Sequence, residues 1–148
     1  MKLTQHTDYS LRVLLYLAGD RGNPSIGTIA DFYGISKNHL VKVAHKLTKL
    51  GYVQSIRGRS GGLRLKMKPE DIIIGSVVRH MEPNLNVVEC FDKQTNTCRI
   101  APVCKLKAVM SQAMNAFMAH LDSYTLAELA LQNGERNKEN LIAVNIVK

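Results

Sequence analysis

Residues 52–66 constrain the fold more tightly than any other stretch of this sequence. Tyr52-Val53-Gln54-Ser55-Ile56-Arg57 is β-rich and alternates, Gly58-Arg59-Ser60-Gly61-Gly62 supplies a tight turn, and Leu63-Arg64-Leu65-Lys66 alternates again. This is a β-hairpin with a basic tip, and what precedes it is helical. Leu11, Leu14, Leu15 and Ala18 recur at helical spacing, with Val13 and Leu17 widening the stripe, which predicts a first helix over roughly 6–19, ended by Gly19 or Gly22. Pro24-Ser25 offers a cap for a short second helix carrying Ile26, Ile29, Ala30 and Tyr33, which Gly34 stops. Ser36 is expected to cap a third helix whose apolar positions are Leu40, Val43, Ala44, Leu47 and Leu50. Its other face carries Lys37, Asn38, His39, Lys42, Lys46 and Lys49.

The join between the second and third helices, Ala30-Asp31-Phe32-Tyr33-Gly34-Ile35-Ser36, suits a helix-turn-helix. Ala30 is small where two helices approach, Gly34 accepts the positive φ of a sharp turn, and Ile35 can plug the core. A hairpin placed directly after a basic second helix of such a unit is a wing. The helix would enter the major groove of DNA, and the hairpin would bring arginines to the minor groove. The fold class expected is mainly α with a small β-hairpin: a winged helix-turn-helix DNA-binding domain plus a long dimerisation helix. Ser36, Lys37, Asn38, His39 and Lys42 are the candidates for the major groove, with Asn38 and His39 reading bases and the others gripping phosphate. Arg57 and Arg59 are the candidates for the minor groove.

The charge balance agrees. Residues 1–68 hold 12 Lys/Arg against 3 Asp/Glu, a net of +9, and residues 69–148 hold 8 against 9, a net of −1. The whole excess of +8 therefore sits in the half that carries the wing, which suggests a polyanionic partner. No apolar run approaches the roughly 20 residues of a membrane span, and the first residues lack a signal-peptide core, so a cytoplasmic protein with no membrane partner is expected.

Beyond the wing, Pro69 fits the first turn of a fourth helix with Ile72, Ile73, Val77 and Met81 on its apolar face. The pattern breaks at Pro83 and stays polar to about residue 99. A long amphipathic helix follows. Its stripe of Leu106, Met110, Ala113, Phe117 and Leu121 can bury against the domain or pair with a second copy, and the habit of helix-turn-helix repressors favours a homodimer. Ser123–Leu131 restarts helical structure, and 132–138 reads as a turn or frayed tail. The divisions are 1–82 for the DNA-binding region, 83–104 for a loop, 105–131 for the dimerisation helix and 132–148 for the tail.

The cysteines number three, Cys90, Cys98 and Cys104, all within 15 residues in the pattern C-x7-C-x5-C. An odd count in a chain of this kind argues against a disulfide framework. Three sulfurs gathered by a polar loop suit an iron–sulfur cluster, and zinc is a live rival. Either needs a fourth donor.

The chain resembles the Rrf-two family of winged-helix regulators over nearly its whole length. The matching segments are Leu3-Thr4 through Thr7-Asp8-Tyr9, Gly34-Ile35-Ser36-Lys37-Asn38-His39-Leu40, Arg57-Gly58-Arg59-Ser60-Gly61-Gly62-Leu63-Arg64-Leu65, Ile100-Ala101-Pro102-Val103-Cys104-Lys105-Leu106 and Leu121-Asp122-Ser123-Tyr124-Thr125-Leu126. The resemblance implies a cluster on Cys90, Cys98 and Cys104, of the 4Fe–4S kind in preference to 2Fe–2S. The family's cluster-biogenesis regulators place a histidine three residues after the last cysteine, where this chain has Lys107. The nitric-oxide-sensing repressors use an aspartate near the start of the first helix, supplied by the other subunit, and Asp8 matches that position. His6, His80 and Glu89 are other donors within the sequence. The resemblance thus implies a homodimeric repressor that holds double-stranded operator DNA and releases it when nitric oxide attacks the cluster. A cluster-status regulator of the biogenesis type and a cluster-free or zinc-stabilised regulator are the alternatives. Nothing points to an enzyme: there is no nucleophile–base constellation, no glycine-rich phosphate loop before a helix, and no HExxH.

Overall fold

A computed structural model describes residues 2–19, 22–58 and 61–130. Helix α1 spans Gln5–Ala18, with Thr4 as its N-cap: the Thr4 hydroxyl accepts from the Thr7 amide at 3.3 Å. Helix α2, Ile26–Tyr33, is capped by Ser25, whose hydroxyl accepts from the Thr28 amide at 3.0 Å. Gly34 ends it in the left-handed region at φ 64°, and the Ile35 amide reaches back to the Ala30 carbonyl at 2.9 Å. That closure needs a residue without a Cβ penalty, so the turn of the helix-turn-helix forms where the sequence predicts it. Helix α3 then runs Lys37–Lys49. Ser36 occupies its N-cap position, but only through its backbone: the carbonyl accepts from the His39 and Leu40 amides while the hydroxyl makes no capping bond. The side-chain cap expected at Ser36 is absent.

The hairpin is present. β1 (Val53–Ile56) pairs antiparallel with β2 (Gly62–Leu65), Val53 opposite Leu65 and Ile56 opposite Gly62. Leu63 and Val53 point into the core, and on the other face the Gln54 side-chain oxygen, in the amide orientation that satisfies both groups, accepts from Arg64 Nε at 2.7 Å. The base of the wing is pinned to the α1–α2 loop by the Leu63 amide, which donates to the Pro24 carbonyl at 2.9 Å. Gly62 lets the two backbones approach: a Cβ there would overlap the carbonyl oxygens of Asn23 and Pro24. Backbone on both sides cannot yield, so Gly62→Ala should lower unfolding stability by about 1–3 kcal/mol, the ordinary cost of overpacking. Urea denaturation measures it, and an unchanged midpoint would show that the wing does not seat there.

The fourth helix differs from expectation. Pro69–Asp71 forms a single 3-10 turn, and α4 itself covers only Ile74–Met81. Ile72 is fully buried, but Ile73 is exposed and forms an isolated antiparallel bridge with Thr125. The cause is tertiary. The Ile74 amide donates to the Tyr124 carbonyl and the Leu126 amide to the Ile72 carbonyl, at 3.0 and 2.8 Å, which holds 72–74 extended. Helix α5 spans Lys105–Asp122, and α6 covers Leu126–Leu129, opened by a capping box between Thr125 and Glu128. Leu126, with no exposed surface, completes a core built from Leu14, Ile29, Leu40, Leu47, Val53, Ile72 and Val77.

Helix α5 meets the rest of the chain near its C-terminal end. Asp122 takes both ends of the Arg79 guanidinium on α4, at 2.6 and 2.5 Å, and Gly75 leaves room for that carboxylate. Met118 is the residue of α5 that is buried within the chain, and Leu121 packs partly on the core. Along the remaining predicted stripe Leu106 and Ala113 are exposed and Met110 and Phe117 half-buried. Among the described residues no helix is long and apolar enough to cross a membrane.

Candidate nucleic-acid interface and cysteine loop

Helix α3 divides cleanly. Leu40, Val43, Ala44 and Leu47 are buried, which turns Ser36, Lys37, Asn38, His39 and Lys42 outward, and all five are exposed. The predicted DNA-facing residues of this helix are therefore all accessible from outside the core. The Ser36 hydroxyl, not spent on capping, is available to an external acceptor. Lys46 behaves differently from its neighbours: half-buried, it donates to the Met81 carbonyl at 3.0 Å and so satisfies the end of α4. Arg57 stands exposed just past β1, beside Gly58 at φ 108°. Arg59 lies outside the described residues.

Asp8 sits in the first turn of α1 and faces Arg12 one turn on. Arg12 Nη2 lies 2.8 Å from Asp8 Oδ2, and Nε donates to Oδ1 at 3.1 Å. The two side chains are 45% and 42% exposed, so the pair contributes only about 0.3–0.5 kcal/mol. The Arg12 guanidinium carbon also lies 5.8 Å from the Tyr9 ring centroid and 5.9 Å from that of Tyr33 on α2. The sequence reading passed over Arg12, although its spacing of four from Asp8 on a helix was a usable signal.

The cysteine loop has a neck. Glu89 Oε1 accepts from the Thr97 amide and from its hydroxyl, the latter at 2.7 Å. The hydroxyl bond first, and then the amide bond, hold the Glu89 carboxyl below its ordinary pKa. Cys90 and Cys98 each follow directly on a partner in this tie. Cys104 is the N-cap residue of α5 and its side chain makes no capping bond. All three thiols are free, Cys98 exposed and the other two half-buried. Among the described residues no three His, Cys, Asp or Glu side chains are drawn close enough within one chain to hold a metal ion. The loop thus carries three soft donors near one another in sequence without closing them into a coordination sphere. Of the other sequence candidates, Glu89 and His80 are engaged locally. His80 Nδ1 lies 2.7 Å from the Tyr52 hydroxyl. The pKa of His6 is lowered, first by burial and then by Lys46, with Glu82 opposing.

A helix-turn-helix, an exposed basic third helix and a wing define a winged-helix transcriptional regulator, not an enzyme. Residues 3–132 match the family described as "Rrf2: Iron-dependent Transcriptional regulator", and the chain belongs to that family. It is 54% identical over 144 residues to the HTH-type transcriptional regulator NsrR of Bacillus subtilis (strain 168), covering 96% of this chain and 95% of that one. Among solved structures, CymR (YrzC), the global cysteine regulator of B. subtilis, superposes with a TM-score of 0.70 at 27% identity over 88% of this chain and 96% of that one. IscR of T. potens does so with 0.69 at 26% identity, covering 87% of this chain and 85% of the other.

Proposed function

We propose that the chain is a cytoplasmic, homodimeric repressor that holds operator DNA while an iron–sulfur cluster is bound and lets go when nitric oxide reaches that cluster. The observation that carries this reading is the trio of free thiols, Cys90, Cys98 and Cys104, in one accessible loop that ends on α5. Three thiolates suit iron, and the set lacks one donor within its own chain. Asp8 of the second subunit is the fourth donor in this reading: its carboxylate is accessible and bound only by a weak surface pair. When bound, the cluster supplies iron for nitric oxide to attack, most readily where a hard carboxylate stands in a soft site.

The protein's own part is mechanical. Asp8 belongs to α1, which packs on α3, so a carboxylate held by the partner's loop fixes the first helix of one winged unit to the other subunit. Release returns Asp8 to Arg12 and frees the two α3 helices to change their separation, which successive major grooves set at about 34–36 Å. A hundredfold loss of operator affinity corresponds to about 2.7 kcal/mol. Ser36, Lys37 and Lys42 would grip phosphates, Asn38 and His39 the base edges, and Arg57 and Arg59 the minor groove.

Anaerobic purification with iron and sulfide analysis, followed by operator binding with and without nitric oxide, tests the reading. Colourless protein that binds DNA equally in both conditions would overturn it, and zinc without sulfide would favour the structural-metal alternative. For Asp8 the expectation is specific. Asp8→Ala retains iron on the three cysteines but with a shifted spectrum, greater lability and a weakened response to nitric oxide. If Asp8 matters only through the helix dipole, the loss is at most about 1 kcal/mol of stability with the spectrum intact. A hybrid of one subunit lacking Asp8 and one lacking the three cysteines keeps one complete site only if the ligand crosses between chains.

A further inference from the structure

His39 is the aromatic side chain in the first turn of α3, exposed, and among the described residues no side-chain hydrogen bond holds it. A cavity of about 170 Å³ lined by Gln5, His6, Tyr9, His39, Lys42 and Val43 opens between α1 and α3, so packing leaves the imidazole room to turn. One contact orients it. The Tyr9 ring on α1 lies stacked against it, centroids 6.3 Å apart and planes 28° from parallel. Tyr9 is itself held by the Arg12 guanidinium, which Asp8 and the Tyr33 ring hold in turn.

We propose that Tyr9 is a positioning residue for DNA reading: without touching DNA, it sets the orientation in which His39 meets the base edges, and Arg12 steadies Tyr9. The proposal rests on the DNA-facing reading of α3. Its physical basis is the ordering cost of a free side chain. A ring already oriented loses less freedom on binding, and an aromatic pair of this kind is worth a few-fold in affinity. Phosphate contacts do not depend on the stack, so its loss should reduce discrimination and leave general affinity alone. The same chain of contacts starts at Asp8, so the orientation of His39 would follow whether Asp8 is paired with Arg12.

The test uses the full-length protein, a duplex that it selects from a randomised library, and a scrambled duplex, titrated by fluorescence anisotropy. Tyr9→Leu should weaken binding to the selected duplex about fivefold and leave the scrambled duplex unchanged. Tyr9→Phe should restore wild-type behaviour. On a His39→Ala background, Tyr9→Leu should add nothing. Equal losses on both duplexes, or full additivity with His39→Ala, would reduce Tyr9 to a structural residue and overturn the proposal. If His39→Ala alone leaves selectivity intact, the DNA-facing reading of His39 is what fails. The wild-type protein supplies an independent check should Tyr9→Leu not fold. Its His39 ring protons should resonate upfield of those of the exposed His45, and equal shifts would mean that no stack forms.

Discussion

Cys98→Ala protein purified without oxygen should emerge colourless, with iron and sulfide near background. Cys98 is exposed in the loop, so truncating its side chain removes no core packing, and surface changes of this kind stay within about 0.5 kcal/mol. Loss of the chromophore would therefore report lost ligation and not lost folding, and a circular dichroism melt run beside the iron analysis separates the two. The same outcome is expected at Cys90 and Cys104, because two sulfurs hold a cluster poorly. A variant that keeps full iron and sulfide would remove its cysteine from the ligand set.

The double substitution Leu106→Glu with Val109→Glu should convert a dimer into a monomer and reduce operator affinity more than a hundredfold. The two side chains are 65% and 57% exposed, so the chain itself makes little use of them. Burying a side chain of this size contributes about 1.5–3 kcal/mol, and a twofold interface counts each residue twice, so charging both removes on the order of 5 kcal/mol or more. The isolated winged unit should melt as before, because its core lies elsewhere. Sedimentation of both proteins decides the matter. Wild type running as a monomer, or the double variant running as a dimer, would show that this face is not where two copies meet.

The winged unit was legible from the sequence because its signals are local. The Gly34 turn, the spacing of Leu40, Val43 and Leu47, and the Gly58–Gly62 turn need no knowledge of distant residues. The fourth helix was misjudged at its start because its apolar residues belong to two structures. Ile72 enters the core from an extended segment, and Ile73 bridges to Thr125, a partner 52 positions away. No periodicity reveals such a pairing. Ser36 has the composition of a cap, but its hydroxyl does not act as one. For the site, residue chemistry pointed to thiols and basic side chains. What the sequence withheld was use: Lys46 looks like another groove lysine until Met81 arrives beside it, and Glu89 looks like a spare donor until Thr97 closes on it. Arg12 could have been read from spacing alone.

Leu126 has a further consequence for how the protein is made. The core that supports α3 and the wing is closed by a residue 61 positions after the last residue of β2, carried there by the return of the chain after α5. A growing chain that has already exposed its helix-turn-helix and hairpin to the cell still has an open core until residue 126 leaves the ribosome. Products of early termination would then lack a settled DNA-binding surface. Chains that stop before Leu126 should be more open to proteolysis than the intact protein, because they lack the residue that closes the core.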